Sequence, residues 1–219
     1  NTADTTDYIN CFKKNLDFCE DLGIKGIRVD TVQPPTIFSE VDPQTAQKRV
    51  VDTWKICVKE AADRGIYVTW EFEPGFAFNK PSDVLRILDA IPDDNFGVQY
   101  DTCHGQMVAV NGARQPGQKE TLKGGQLEFI GKLDGRINHI HLIDSDNTCH
   151  KDAEGNDETS AHAPFGDGVI NFDEVVPALN KAARCKHDWW TIDLCFWPDA
   201  WAVTERCKKA IDKLNEKYG

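Results

Sequence analysis

The sequence predicts an α/β fold of parallel strands closed as a barrel, and three observations carry that expectation. Helix-like and strand-like patterns alternate along the chain, as they do where parallel strands are joined by helical crossovers. Apolar runs of strand length end in carboxylates or imidazoles, as in NFGVQYDTCH at 95–104 and INHIHLID at 137–144. Polar groups at the C-terminal ends of buried strands mark the active face of an α/β barrel. No GxGxxG or GxxxxGKS/T turn follows any strand, so a doubly wound nucleotide-binding sheet has no support.

Each element follows from its pattern. Residues 7–22 carry Tyr8, Cys11, Phe12, Leu16, Cys19 and Leu22 at helical spacing, and Gly23 ends the helix. Residues 24–32 read as a strand. Asp42 followed by Pro43 reads as an N-cap with proline at the first helical position, and that helix runs to about residue 64. IYVTWEF at 66–72 is the next strand, 81–91 a short helix and 96–101 a strand. A helix covers part of 118–133, and 137–143 is a strand. Residues 146–168 read as a long polar loop, functional or mobile on length alone. Residues 171–185 form a helix, 189–195 a strand and 200–217 a final amphipathic helix.

This accounts for five strand–helix units in 219 residues, read as a single domain. A full eight-fold barrel takes about 250 residues. The chain opens at Asn1 without an initiator Met. The expectation is therefore that it covers about the last five βα units, with the N-terminal strands missing, so that it either belongs to a longer chain or is completed by other polypeptide.

Composition narrows the function classes. A formal charge of −11 with no basic run argues against a nucleic-acid partner, since nothing would displace counterions from phosphates. No apolar stretch approaches a membrane span. The eight cysteines (Cys11, Cys19, Cys57, Cys103, Cys149, Cys185, Cys195 and Cys207) form no CxxC pair. They read as free thiols in a reducing, cytoplasmic setting. Oligomerisation is left open.

The chemistry lies at the strand ends. Glu71 and Glu73 are two apart and share one side of a strand. Asp101 follows the next strand, with His104 one turn further. His139 and His141 share a side of the next, with Asp144 beyond, and Asp193 ends WWTID. A Glu, an Asp, a His and an Asp from four consecutive strands can converge on one point above a barrel. Such an oxygen-rich set suits Mn²⁺, Mg²⁺ or Co²⁺ better than structural Zn²⁺, with Zn²⁺ the alternative. His150 and His162 lie in the long loop, where His162 is a substrate-contact candidate. Trp197 and Trp201 offer aromatic faces that stack on sugar rings or simply pack.

Glu71, Asp101-Thr102-Cys103-His104, His141-Leu142-Ile143-Asp144, the FGDGVINF run at 165–172 and the terminal strand acid resemble the sugar phosphate isomerase/epimerase family. These are xylose isomerase-like TIM barrels that include ketose 3-epimerases, hydroxypyruvate isomerases, inosose dehydratases and, more distantly, endonuclease IV. The resemblance implies one divalent ion held by Glu71, Asp101, His141 and Asp193, with His104 on the substrate side and Glu73 as a reserve ligand. Two positions depart from the family: Asp193 stands where glutamate is usual, and Asn147 where ketose 3-epimerases carry an arginine. Both make a plain ketose 3-epimerase less expected.

The resemblance implies an isomerase or epimerase acting on a sugar, keto-sugar or polyol through an enediolate. Glu71 and Asp193 would be acid and base and His104 a catalytic partner. Glu73, His104, Asp144, His162 and Trp197 would contact substrate. The nearest alternative is a lyase or dehydratase on a sugar or cyclitol at the same site, with His162 or Asp144 protonating a leaving oxygen. A non-catalytic sugar-binding barrel is the other. An endonuclease IV-like activity is disfavoured, because no Asp-x-His follows the His-x-His strand and the chain is acidic.

Overall fold

The structure, a computed structural model, describes residues 3–187 and 189–219. Four parallel strands, β1 (Gly26–Val29), β2 (Tyr67–Glu71), β3 (Phe96–Asp101) and β4 (Ile137–His141), form one sheet in that order. Helix α1 (Thr6–Leu22) precedes β1. Helices α2 (Pro43–Ala62), α3 (Pro81–Ala90), α4 (Thr102–Gln106) and α5 (Gly125–Lys132) lie in the crossovers, and α6 (Phe172–Ala182) and α7 (Ala200–Tyr218) follow β4.

Local chemistry sets the boundaries. Gly23, at φ 69°, closes α1 with its N–H on the Glu20 carbonyl, while the Ile24 N–H reaches Cys19 O at 2.8 Å. The Asp42 carboxylate accepts the Thr45 N–H at 2.9 Å and Pro43 opens α2. β3 is buried along its whole length, as expected of a parallel strand covered on both faces. Trp70, Phe72, Tyr100 and Phe129 interlock in the adjoining core, with Phe72 in edge contact with Tyr100 at 5.8 Å and Phe129 at 5.2 Å.

Two expectations about secondary structure are corrected. The span 146–168 is not a plain loop. It holds most of an antiparallel hairpin, β5 (Asp144–Lys151) and β6 (Asp157–Ala163). The hidden residues of β6 include Thr159, Ser160 and His162, so no apolar alternation announces the strand. The strand expected over 189–195 shrinks to a parallel bridge between His141 and Thr191. It takes the expected place beside β4, with Leu142 N–H on Thr191 O at 2.8 Å and Thr191 N–H on Ile140 O at 3.1 Å. It ends early because the Asp193 carboxylate accepts the Cys195 N–H at 2.9 Å and Phe196 turns at φ 61°.

Asp144 anchors the next turn. Its carboxylate accepts the N–H groups of Ser145, Gly166, Gly168 and Ile170 at 2.9–3.1 Å. That uses the acceptor sites of a carboxylate, so the substrate or leaving-group role expected of Asp144 is corrected to a structural one. A Cβ at Gly168 would lie 2.3 Å from Asp144 Oδ1, which explains a glycine there. Among the described residues no helix is long and apolar enough to cross a membrane, and the eight cysteines are free.

Asp144→Ala would strand several backbone donors at once. We expect it to lower unfolding free energy by at least about 3 kcal/mol in urea titration; a loss below about 1 kcal/mol would contradict the anchoring role.

Candidate metal centre

Parallel register brings the strand ends level. Glu71 pairs with Gln99, Asp101 with His141, and His141 with Thr191, two residues before Asp193. Four side chains from successive positions around the sheet therefore meet above its C-terminal edge.

The 101–104 quartet shows why these residue types stand together. Asp101 caps α4, its Oδ1 accepting the His104 N–H at 2.9 Å, which leaves Oδ2 facing the cluster. Thr102 stitches β3 to the end of β4: its hydroxyl donates to Ile143 O at 2.6 Å and accepts the Ile143 N–H at 2.9 Å. Cys103 Sγ donates to Ala161 O at 3.3 Å, and His104 Nδ1 lies 2.9 Å from Ser160 Oγ. The last two contacts seat β6 on the site.

Glu71, Asp101, His141 and Asp193 each offer a ligand atom, and all four atoms lie within 4.8 Å of one another. His141 Nδ1 is 3.5 Å from Glu71 Oε1, 3.7 Å from Asp101 Oδ2 and 3.2 Å from Asp193 Oδ2. With bonds of ~2.1 Å, neighbouring ligands in an octahedral shell sit about 3 Å apart and opposite ones about 4.2 Å, so the spacing fits one ion. Asp193 reaches the cluster although it is shorter than glutamate. Glu71 Oε1 and Asp101 Oδ2 are buried without a hydrogen-bond partner, an arrangement that is costly unless a cation answers it. The donor set present thus fits a divalent metal.

Electrostatics agree. Burial pushes the Glu71 carboxyl up to about 7 although Arg28 opposes the rise, and burial also raises Asp101. Burial works against the charge on His162, yet Asp101 and Asp193 outweigh it and push that imidazole up to about 9. Burial resists ionisation of Asp193, but the hydrogen bond from His141 and the nearby His162 imidazole hold its carboxyl far below the usual range. Burial also works against charge on His141, but Asp193, Asp101 and Glu71 raise it, whereas burial holds the His104 imidazole well below its usual value.

A cavity of about 560 Å³ opens onto the cluster. Glu71, Glu73, His104, His162 and Asp193 line it. Glu73 Oε2 accepts the Thr159 hydroxyl, a further tie to β6. His162 Nδ1 is 3.5 Å from Asp193 Oδ1, and its Nε2 is 3.7 Å from Asp101 Oδ1. With His104 and Asp101 it forms a second, overlapping set of ligand atoms. His139 instead turns to His187, with Nδ1 2.7 Å from Nε2. Trp197 does not line this cavity. Its neighbour Phe196 does, 54% exposed and stacked on His150 at 4.3 Å, because the positive φ at 196 turns that ring to the mouth. Arg28, Thr159 and Ser160 also line the cavity. Arg28 carried a legible signal, a charge inside the apolar run GIRV. Thr159 and Ser160 carried none.

Residues 1–210 match the sequence model of the family described as xylose isomerase-like TIM barrel. No curated protein matches the sequence. Among solved structures, the chain resembles the IOLI protein with a bound zinc atom at TM-score 0.73 and 20% identity, over 100% of this chain and 73% of that one. A D-tagatose 3-epimerase-like protein gives TM-score 0.65 at 22% identity, over 96% and 71%. The probable 3-DHS dehydratase AsbF from Bacillus anthracis gives 0.69 at 18%, over 96% and 72%. At these identities the likeness establishes the TIM-barrel fold.

Mn²⁺ at a hundredfold excess over its dissociation constant should stabilise the protein by about 2.7 kcal/mol, raising Tm by about 5–10 °C, with reversal by chelator. An unchanged Tm in differential scanning calorimetry would count against the cluster as a binding site.

Proposed function

Because this chain belongs to the xylose isomerase-like TIM barrel family, we propose that it is a divalent-metal-dependent isomerase or epimerase of a sugar, keto-sugar or polyol. The observation that carries this reading is the set Glu71, Asp101, His141 and Asp193, with two buried oxygens that lack a hydrogen-bond partner. Mn²⁺, Mg²⁺ or Co²⁺ suits this oxygen-rich set, with Zn²⁺ the alternative. Held by these four residues, the ion would supply Lewis acidity to a substrate carbonyl and so make the adjoining C–H more acidic.

The chain's own residues do the rest. Glu71 and Asp193 hold and return the proton, one as base and one as acid, through their carboxylate oxygens. His104, its Nδ1 fixed by Ser160, turns Nε2 to within 4.0 Å of Glu71 Oε1 and orients a substrate hydroxyl. Glu73 and His162 line the cavity and bind further hydroxyls. Phe196 takes the ring-stacking role expected of Trp197. Free thiols and the absence of basic runs support a cytoplasmic protein with a small-molecule substrate and no nucleic-acid or membrane partner.

A second reading is supported by His162. An imidazole beside Asp101 and Asp193 is placed to protonate a departing oxygen, which would make the same enediolate chemistry a dehydration.

The test is stripped protein reloaded with each ion, followed by elemental analysis and incubation with keto-sugars and cyclitols in D₂O. We expect one ion per chain, lost in Asp193→Ala and His141→Ala, and deuterium in the recovered sugar. Glu71→Gln should slow that exchange by at least about 100-fold. Loss of water from the substrate would select the dehydratase reading. Absence of a stoichiometric ion would defeat both and leave a sugar-binding barrel.

A further inference from the structure

Arg28 stands on β1, which supplies none of the four ligands, yet its guanidinium grips the set. Nη1 forms an ion pair with Glu71 Oε2, Nη2 lies 3.8 Å from Glu73 Oε1, and Nε donates to both oxygens of Asp30 at 2.9 Å. One planar fork thus meets three carboxylates from two adjacent strands, a geometry that a lysine ammonium cannot reproduce. Glu71 is 1% exposed. With Oε2 held by Arg28, its other oxygen alone faces the cluster, 3.5 Å from His141 Nδ1 and 4.0 Å from His104 Nε2.

We propose, resting on the metal-dependent reading above, that Arg28 is a positioning residue that presents Glu71 to the ion through Oε1 alone. Groups behind a ligand fix its orientation and tune the ion it holds. A carboxylate with both oxygens free can bind a divalent ion in bidentate fashion. Arg28 prevents this, and so keeps open a coordination position that substrate oxygens need. It also answers charge: three ligand carboxylates outnumber a divalent cation by one, and the guanidinium supplies the balance. Although Arg28 lines the cavity, its ion pairs run to Glu71, Asp30 and Glu73.

The test loads wild type, Arg28→Gln and Arg28→Lys with Co²⁺ and reads affinity and the visible absorption of the bound ion. We expect Arg28→Gln to bind Co²⁺ 10–100-fold more weakly, on the order of other outer-shell losses. Its absorption band should change in position and intensity as Glu71 gains a second contact. Arg28→Lys should recover part of the affinity, through charge, while keeping the altered spectrum. A merely structural role would lower stability and leave the spectrum alone, so wild-type affinity and spectrum in Arg28→Gln would overturn the proposal. If that variant does not fold, Arg28→Lys carries the test, and a wild-type spectrum there overturns it. The wild-type protein gives a check without any variant: both Glu71 oxygens within bonding distance of the ion in a metal-loaded crystal structure would be decisive against it. Failure of wild type to bind Co²⁺ would remove the metal reading itself, whereas binding unaffected by the variants removes only the role of Arg28.

Discussion

Negative charge brought together where burial makes it costly is the constraint on which the rest of this structure depends. Glu71 and Asp101 are buried and Asp193 largely so, all three within hydrogen-bonding or ion-pair reach of His141. Ions removed from water cost several kcal/mol each unless something answers them. The surrounding architecture answers in part. Arg28 takes one oxygen of Glu71, the His104 N–H takes one of Asp101, and His141 and His162 flank Asp193. Two oxygens remain over, and they face the same point. The parallel register that levels the strand ends, the capping of α4 and the seating of β6 all converge on that point.

The part of this arrangement that was legible in the sequence was legible for a physical reason. Parallel strands buried on both faces read as continuous apolar runs, so Glu71, Asp101 and His141 stand out as charges where a run ends. The alternation of patterns gave α1 to α3, α5 to α7 and the four parallel strands in order, but not the short α4 or the hairpin β5–β6. Asp193 was legible although its strand is only a bridge, because the unusual feature was a carboxylate among aromatics, independent of how many ladder bonds flank it.

What stayed hidden was hidden by the same logic. β6 turns polar side chains inward because its interior is the site, and a strand whose hidden residues include Thr159, Ser160 and His162 has no apolar period to detect. Asp144 looked like a reactive group because it follows the His-x-His strand, yet the FGDG turn wraps its backbone donors around that carboxylate. Phe196 and Trp197 differ only in which of two adjacent rings a positive φ sends to the cavity. The hairpin also ties the outcome to the fold. Thr159, Ser160, Ala161 and His162 each meet a residue of the cluster or its surroundings, so one wall of the cavity is built by the segment that resembles a loop in sequence.

The most direct measurement is anomalous scattering from crystals soaked in Mn²⁺. This account predicts one strong peak with Glu71 Oε1, Asp101 Oδ2, His141 Nδ1 and an Asp193 oxygen at about 2.0–2.4 Å. A peak seated instead among Asp101, His104 and His162, or no peak at either set, would contradict it.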